Sequence, residues 1–439
     1  MQIISSYKVK LQDHRSALRN TVRIYREAVS FLINVIDTEW DVIGPLYKKS
    51  VKLGQSAMER MIHRTSKNLN PKYDFDADFY KFPSYFRRAA IDVALGAVSS
   101  YRSNLGNWET SGCKGHRPKL TLNRNVMPVF YRTGMCQFDD MLSGKSCLVK
   151  LKLYVNHDWV WIDIPCRKQD IDYLHEHWDQ AKPFAPTLVM ERKPKQRNVH
   201  HLVFAFPEIR DLSDNDVSLE DQTIFAVDLG INTDATCSVM KKDGTVIARK
   251  FINFTREKDR LYHLLNRIRR LQREHGSKTG GKHEWKRTRR MNVDLAKKIS
   301  KAIVDTAVFY RANVIVFEHL EFKGKRRGGK KQRLHMWRKQ DIQARVEHGA
   351  HRNLIRISRV CAWGTSRLAF DGSGPVIRDE NNHQLAAFAN GKRYNCDLSA
   401  SYNIGARYFL REMCKLDPDL INKLPSASRR TYADLRAVA

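Results

Sequence analysis

Long apolar runs are missing from this sequence. No stretch approaches the roughly 18 consecutive apolar residues of a membrane span, and the opening segment MQIISSYKVKL lacks the apolar core of a secretion signal. The eight cysteines are scattered singly, without a CxxC pair, which excludes a dense disulfide framework and predicts reduced thiols. We therefore expect a cytoplasmic protein without a membrane partner.

Acidic residues are scarce relative to basic ones. The sequence contains 47 Asp and Glu against 78 Lys and Arg, a formal charge of +31. Such a charge repels itself in a compact fold unless a polyanion neutralises it, and nucleic acid is the natural partner. An anionic membrane surface is disfavoured because no amphipathic basic anchor stands out. The length of 439 residues, 42% of them hydrophobic, predicts two or three folded domains.

The N-terminal half predicts a strand, then helices, then further strands. The predicted elements are a strand at 3–11, helices around 22–36 and 85–105, a loop from 107, and strands at 149–163, 187–192 and 201–206. We therefore predict one β-barrel or sheet domain from residues 1–12 and 120–208, into which a helical domain of residues 13–119 is inserted.

The C-terminal half begins after a polar, acidic run that predicts a linker at 209–221. The segments TIFAVDLG, ATCSVM and TVIARKFINF then predict a three-stranded β-meander. Two basic helices follow, the second with a buried stripe from Leu295 to Tyr310 and an end at Asn313. We predict an α/β domain at 222–364 and 395–439, with an insertion at 365–394. The predicted fold class is multidomain α+β.

Three carboxylates stand at the ends of predicted elements. Asp228 closes the strand in AVDLGIN, Glu318 closes the strand in VIVFEHL, and Asp397 precedes a helix in NCDLSASYNI. Any one of them alone could be a solvated strand end. Buried together, they need a cation, and hard divalent metals prefer oxygen ligands. Two Mg²⁺ ions roughly 3.5–4 Å apart can activate water against a phosphodiester, and Gly230 would let a phosphate backbone approach.

These motifs resemble those of the RuvC-like (RNase H-type) nucleases of transposon-encoded TnpB proteins and compact type V CRISPR effectors. AVDLGINTDATCS, IVFEHLEFKGK and NCDLSASYNIGAR are similar to the first, second and third family motifs. The resemblance implies that Asp228, Glu318 and Asp397 are catalytic and bind two Mg²⁺ ions, with Mn²⁺ able to substitute. It implies supporting roles for Asn403 and Arg407. The N-terminal element order is similar to the wedge and recognition domains of those proteins.

The sequence departs from the family between the second and third motifs. Family members carry a zinc ribbon of two CxxC pairs after a Thr-Ser dipeptide, but only the dipeptide, Thr365-Ser366, is present here. A closed zinc site needs four ligands, so we predict no zinc and an insertion held by packing or RNA contact. Buried thiols or structural roles are the favoured interpretation of the remaining candidate ligands, which are Cys361, Cys396 and His383, and the isolated Cys113-His116 pair.

Two basic clusters are candidate nucleic-acid contacts. Such clusters are more often solvated faces, and the second also fits a nuclear-localisation pattern, but contact with the backbone of an RNA–DNA hybrid is the favoured interpretation. Trp337 and Arg338 could stack on bases, although Trp337 could equally be core. The predicted contacts are Lys286, Arg287, Arg289, Arg290, Lys323, Lys325, Arg326, Arg327, Lys330, Lys331, Arg333, Trp337 and Arg338.

The function that the resemblance implies is RNA-guided cleavage of DNA. A guide RNA and double-stranded target DNA would be the partners, with a monomer or dimer of the protein on one RNA, and guide–target pairing beside a short flanking motif would supply specificity. The setting would be the prokaryotic cytoplasm, at the nucleoid when DNA is bound. One alternative is a catalytically silent RNA-guided DNA-binding protein, a repressor or transposon accessory. Another is a guide-free junction-resolving or RNase H enzyme.

Overall fold

The computed structural model forms two compact units, residues 2–208 and 209–439. Both units combine helices with strands, so the predicted multidomain α+β class is confirmed. The proposed domain boundaries within these units stay predictions. The structure describes residues 2–66, 68–122, 126–131, 133–178, 182–191, 198–212, 217–276, 281–319, 338–380, 382 and 384–439.

The N-terminal unit places a block of helices between its first strand and the others, as the sequence predicts. Its elements are β1 (Gln2–Lys10), α1 (Arg15–Thr38), α2 (Trp40–Lys49), α3 (Val51–Ile62), α4 (Phe75–Asp78), α5 (Ser84–Thr110), β2 (Cys136–Gln137), α6 (Asp139–Leu142), β3 (Leu148–Val155), β4 (Asp158–Pro165), α7 (Lys168–His177), β5 (Thr187–Glu191) and β6 (Val199–Ile209).

The strands of this unit form two three-stranded sheets, in the orders β1-β6-β5 and β2-β3-β4. Two isolated bridges lie beside these sheets: Leu11, which follows β1, pairs with Cys166, which follows β4, and Val129 pairs with Thr187 of β5. A closed barrel stays a prediction. One boundary prediction is wrong, because α5 continues to Thr110 where a loop is predicted from 107. The helix stops where Gly112 adopts a positive φ of 74°, a conformation that glycine adopts without steric cost.

One hydrophobic core fills the N-terminal unit, and α1 contributes its whole apolar stripe to it. The predicted core positions Val22, Tyr25, Val29, Ile33 and Ile36 are all buried. They recur every three or four residues and so lie on one side of the helix. The Tyr25 ring packs edge-on against Phe86 of α5, with the centroids 5.5 Å apart. The sequence periodicity therefore locates the packed face of this helix correctly.

The C-terminal unit is built around a five-stranded sheet. Its elements are β7 (Ile224–Asp228), β8 (Ala235–Met240), β9 (Val246–Ile252), α8 (Thr255–His275), α9 (Lys282–Phe309), β10 (Val314–His319), α10 (Lys339–Arg352), β11 (Arg356–Cys361), β12 (Ile377–Arg378), β13 (Leu385–Ala387), β14 (Arg393–Asn395), α11 (Cys396–Leu416), α12 (Leu420–Lys423) and α13 (Tyr432–Val438).

The strand order of this sheet is β11-β10-β7-β8-β9. The pairs β7·β8 and β8·β9 are antiparallel, which confirms the predicted meander, whereas β10 runs parallel to both β7 and β11. Helix α9 ends at Phe309, before the predicted Asn313, which instead donates its backbone N–H to the Thr223 carbonyl at 2.8 Å. In this sheet, β7 and β10 are therefore neighbouring strands that run in the same direction.

Each face of this sheet is covered by different helices. Residues of α9 and α10 pack with Phe225, Val227, Ile315 and Phe317 on one face. Residues of α11 and α13 pack with Ile224, Ala226, Val314 and Val316 on the other. Because side chains alternate between the faces of a strand, this division assigns each position of β7 and β10 to one face. We call the second face the α11 face.

The segment between residues 365 and 394 forms a small subdomain around the sheet β12-β13-β14. Its core contains Ala369, Ala386, Phe388 and Cys396. The Phe370 ring packs against both Phe388 and Tyr394, and the Lys392 ammonium lies 4.9 Å from the Phe370 ring centroid. This segment is therefore held by apolar and cation–π packing, as one of the two predicted possibilities requires.

Candidate active site

Asp228 and Glu318 lie at neighbouring ends of two parallel strands. The register pairs Val314 with Ile224 and runs on to pair Phe317 with Val227, so that Glu318 comes next to Asp228. Adjacent strands are about 4.8 Å apart. The residues two before them, Ala226 and Val316, belong to the core of the α11 face. Both carboxylates therefore project to that face.

Asp397 reaches the same face from the first turn of α11. Strand β14 runs directly into this helix, and the Asn395 side chain caps it by accepting the Leu398 backbone N–H at 2.9 Å. The helix packs closely on the sheet at Gly405, where an added Cβ would lie 2.5 Å from the sulfur of Met240. A carboxylate in the first turn also gains from the helix dipole. The charge of Asp397 acts on Asp228, so the three predicted carboxylates lie at the same end of the α11 face, although they are not close enough to form a metal site as they stand.

Burial raises the pKa of all three carboxyl groups, and repulsion by neighbouring carboxylates adds to this effect at Asp228. Burial is the largest cause at Asp228, where the charges of Glu318 and Asp397 raise the pKa further and the Arg378 guanidinium lowers it. Burial also raises the pKa of Glu318, which is 8% exposed, and that of Asp397. Buried like charges cannot all ionise without a compensating cation. The cluster therefore favours either protonation or cation binding.

Thr365 and the cation Arg378 are site residues for which sequence reasoning gave no role. The Thr365 hydroxyl donates a hydrogen bond to Glu318, which lowers the pKa of that carboxyl against the effect of burial. Arg378 lies on β12, in the small subdomain at 365–394, and its charge acts on both Asp228 and Asp397. The Thr-Ser dipeptide in the sequence could have indicated Thr365 as a site residue. Nothing in the sequence indicates Arg378, because it lies outside the three motifs.

The two predicted supporting residues hold the backbone around Thr365. Asn403 donates to the carbonyls of Thr365 and Leu368 at 3.0 and 2.9 Å and accepts the Tyr432 backbone N–H at 3.0 Å. Arg407 donates to four backbone carbonyls at 2.7–2.9 Å, those of Cys361, Trp363, Ser428 and Arg430. Both side chains are almost fully buried. They therefore act on the site through the loop after β11.

The fold itself explains why residue 230 is a glycine. A Cβ at this position would lie 2.5 Å from the carbonyl oxygen of Thr233, so any larger residue would displace the turn after β7. A cavity of about 430 Å³ opens beside it, lined in part by Gly230, Lys258, Tyr262, Arg269 and Arg338. Access of a phosphate backbone to Gly230 stays a prediction.

The predicted nucleic-acid contacts divide into exposed, ion-paired and undescribed residues. Arg338 pairs with Asp341 at 3.1 Å, across the start of α10. Lys286, Arg287, Arg289 and Arg290 are exposed on α9. The remaining predicted contacts lie outside the described residues; they are Lys323, Lys325, Arg326, Arg327, Lys330, Lys331, Arg333 and Trp337.

The candidate zinc ligands are not alike in burial. All eight cysteines are free thiols; Cys396 is buried, but Cys361 and Cys113 are exposed, so the expectation of a buried thiol is wrong for Cys361. His383 lies outside the described residues. In the part of the chain that the structure describes, no three His, Cys, Asp or Glu side chains are grouped closely enough to hold a metal ion as they stand. This includes the three carboxylates, whose repulsion opposes closer approach.

Comparison with known proteins gives matches of two kinds. The Aq_aa04 family model matches residues 4–155, and an uncharacterised Aquifex aeolicus protein, aq_aa04, is 28% identical over 139 residues, which is 29% of this chain and 78% of that protein. Both matches leave most of the chain uncovered, and the family match ends before the carboxylate cluster begins.

None of the helices within the described residues is long and apolar enough to cross a membrane.

Among solved structures, the chain is similar to Cas12f1 in a complex with sgRNA and target DNA. The TM-score is 0.48 at 14% identity, over 87% of this chain and 83% of that one. It is also similar to Alicyclobacillus acidoterrestris C2c1 in complex with single-guide RNA, with a TM-score of 0.45 at 11% identity, over 90% of this chain and 70% of that one. Because these TM-scores are below 0.5, function has to be inferred from the chain's own site.

Proposed function

We propose that this protein is an RNA-guided DNA endonuclease with one metal-dependent, RuvC-like cleavage site. The observation that carries the proposal is the convergence of Asp228, Glu318 and Asp397 on the α11 face, with burial raising the pKa of all three. The three motifs that resemble TnpB and compact type V effectors contain these residues, and the formal charge of +31 suits a nucleic-acid complex.

The chemistry of this donor set fits a hard divalent cation. Carboxylate oxygens are the ligands that Mg²⁺ and Mn²⁺ prefer, and the three residues of the cluster are all carboxylates. Bound divalent ions would activate water and stabilise the leaving oxygen of a phosphodiester. Asp228, Glu318 and Asp397 would hold them, and their mutual repulsion would be relieved by the positive charge.

The surrounding residues have distinct parts in this proposal. Thr365 holds Glu318 by its hydrogen bond, and Asn403 and Arg407 hold the loop that carries Thr365. Arg378, whose charge lowers the pKa of both Asp228 and Asp397, is suited to offset the negative charge of a phosphate beside the carboxylates. The exposed arginines and lysine of α9 would contact the nucleic-acid backbone.

The test is a cleavage assay on the purified chain with the RNA that co-purifies with it. The RNA is sequenced, and a plasmid that carries the matching target is incubated with the complex and Mg²⁺. We expect cleavage that depends on both RNA and Mg²⁺ and that is abolished in Asp228→Ala, while RNA and target binding persist. Ser238→Ala, which changes the same face without touching a carboxylate, is the matched control. Cleavage by Asp228→Ala at the wild-type rate would refute the assignment.

One observation favours the alternative of a silent RNA-guided DNA-binding protein. The described carboxylates do not stand in a ready-made group of three metal ligands. If this spacing persists when cations are present, the complex would bind its target without cutting it. The same assay separates the two functions, because the silent protein retards target DNA in a gel and leaves it intact at every Mg²⁺ concentration.

A further inference from the structure

Strand β8 carries a hydroxyl directly beside the Asp228 carboxylate. Thr236 is the cross-strand partner of Asp228 in the antiparallel pair β7·β8. Directly paired residues project to the same face, with their Cβ atoms about 4.5–5.5 Å apart. The Thr236 hydroxyl therefore lies on the α11 face, within reach of Asp228 after rotation about the side-chain bonds.

The Thr236 hydroxyl is buried without a partner. Thr236 is 1% exposed, and among the described residues its hydroxyl oxygen has no hydrogen bond. A buried polar group that makes no hydrogen bond destabilises the fold, so its position calls for an explanation. Its neighbour Asp228 is half-buried, and its carboxylate oxygens can accept a hydrogen bond. An unpartnered donor and a carboxylate acceptor thus lie side by side.

Ser238 offers a matched comparison on the same strand and the same face. It is fully buried, and its hydroxyl also lacks a hydrogen-bond partner among the described residues. Its cross-strand partner, however, is Ala226, which has no polar side chain. The two hydroxyls therefore share burial and environment and differ in their proximity to a carboxylate.

We infer that Thr236 is a positioning residue for Asp228: its hydroxyl donates a hydrogen bond to one carboxylate oxygen and leaves the other oxygen free to bind a divalent cation. A hydrogen bond to a ligating carboxylate fixes its orientation, so less side-chain freedom is lost when the cation binds. The inference rests on the proposed function, because it assigns Asp228 to a metal site.

The experiment compares Thr236→Val, Thr236→Ser and Ser238→Ala in the full chain, by calorimetric titration with Mn²⁺ and by the metal-free melting temperature. We expect Thr236→Val to weaken Mn²⁺ binding by about tenfold or more, because valine matches threonine in shape but has no hydroxyl. Thr236→Ser and Ser238→Ala should bind Mn²⁺ like the wild type. The metal-free melting temperature of Thr236→Val should equal or exceed that of the wild type, because the Thr236 hydroxyl has no hydrogen-bond partner in the metal-free fold and its hydrogen bond to Asp228 forms only when the side chains turn to bind the cation.

Two outcomes would overturn the inference. Wild-type Mn²⁺ affinity in Thr236→Val would show that the hydroxyl does not position Asp228, and the proposed function would stand. A lowered metal-free melting temperature together with weak binding in both Thr236 variants would show that Thr236 has a structural role alone. A wild-type chain that binds no Mn²⁺ would instead overturn the proposed function, and the inference with it.

Discussion

The two faces of the five-stranded sheet differ in what their alternate positions carry. On the face covered by α9 and α10, the strand positions Phe225, Val227, Ile315 and Phe317 are all apolar. On the α11 face, apolar positions are interrupted at the strand ends by Asp228 and Glu318 and along β8 by hydroxyls. The first face supplies apolar packing, whereas the second carries polar groups in place of part of its packing. The proposed function lies on this second face.

The largest expected effect comes from removing charge on the α11 face. Asp228→Asn preserves shape but removes a buried carboxylate that its neighbours repel. Cleavage should fall by roughly 10²–10³-fold, the scale of losing one electrostatic contact in a catalytic site, while the metal-free protein becomes more stable. Cleavage rates and urea denaturation measure the two effects. A variant that is less stable and still cuts would remove the contrast between the faces.

The reverse change, on the apolar face, should affect stability alone. Phe317→Ala creates a cavity beneath α9 and α10 and should lower the free energy of unfolding by about 3–5 kcal/mol, because Phe317 is fully buried. Mn²⁺ affinity of the folded protein should stay at the wild-type value. Urea denaturation and calorimetry on the same preparation test this, and a joint loss of stability and Mn²⁺ affinity would show that the two faces are not separable.

Asn403 allows a finer test of the difference between the two faces, because it is buried in the fold and also holds the loop that carries Thr365. Asn403→Ala removes three hydrogen bonds around the Thr365 loop and should cost about 2–3 kcal/mol of stability, since it leaves buried backbone groups unpaired. It should also slow cleavage, because Thr365 would hold Glu318 less firmly. Full cleavage activity at a temperature where the variant remains folded would separate Asn403 from the site.

The smallest expected effect is a pH dependence of stability. Its direction should be opposite to that of ordinary carboxylates, which stabilise the fold as the pH rises. Because burial raises the folded-state pKa of Asp228, Glu318 and Asp397, the folded state binds more protons than the unfolded state at intermediate pH. Their contribution therefore destabilises the metal-free fold as the pH rises through and above the unfolded values near 4. Compared with Asp228→Asn, the wild type should lose relative stability between acidic and neutral pH, and Mg²⁺ should restore it.

The sequence predicts the elements of the site better than their contacts. Strand alternation and the order of Asp228, Glu318 and Asp397 point to a shared edge, because a polar group after an apolar strand stands out. Thr236 was also visible as a polar position within an apolar strand, but its pairing with Asp228 depends on the register across the turn. Arg378 is not predictable from the sequence, because its approach to the carboxylates depends on how the small subdomain at 365–394 packs.

The other missed boundaries have similar physical causes. The residues after 107 predict a loop, but they can also continue a helix whose preceding turns are already packed. The helix continues to Thr110 and ends before Gly112, which has a positive φ. The Cys361 thiol follows an apolar strand pattern, but it lies on β11, which among the described strands pairs with β10 alone, and it is exposed. Local sequence does not reveal which strand forms the edge of a sheet.

The central claim is that Asp228, Glu318 and Asp397 jointly bind divalent cations. Crystals soaked in Mn²⁺ and measured at the manganese absorption edge test it most directly, because the anomalous signal locates the ion itself. We predict a strong peak among the three carboxylate groups, with the side chains turned towards it, and its loss in Asp228→Asn. A map in which the Mn²⁺ peaks lie elsewhere while the three carboxylates stay apart would contradict the account.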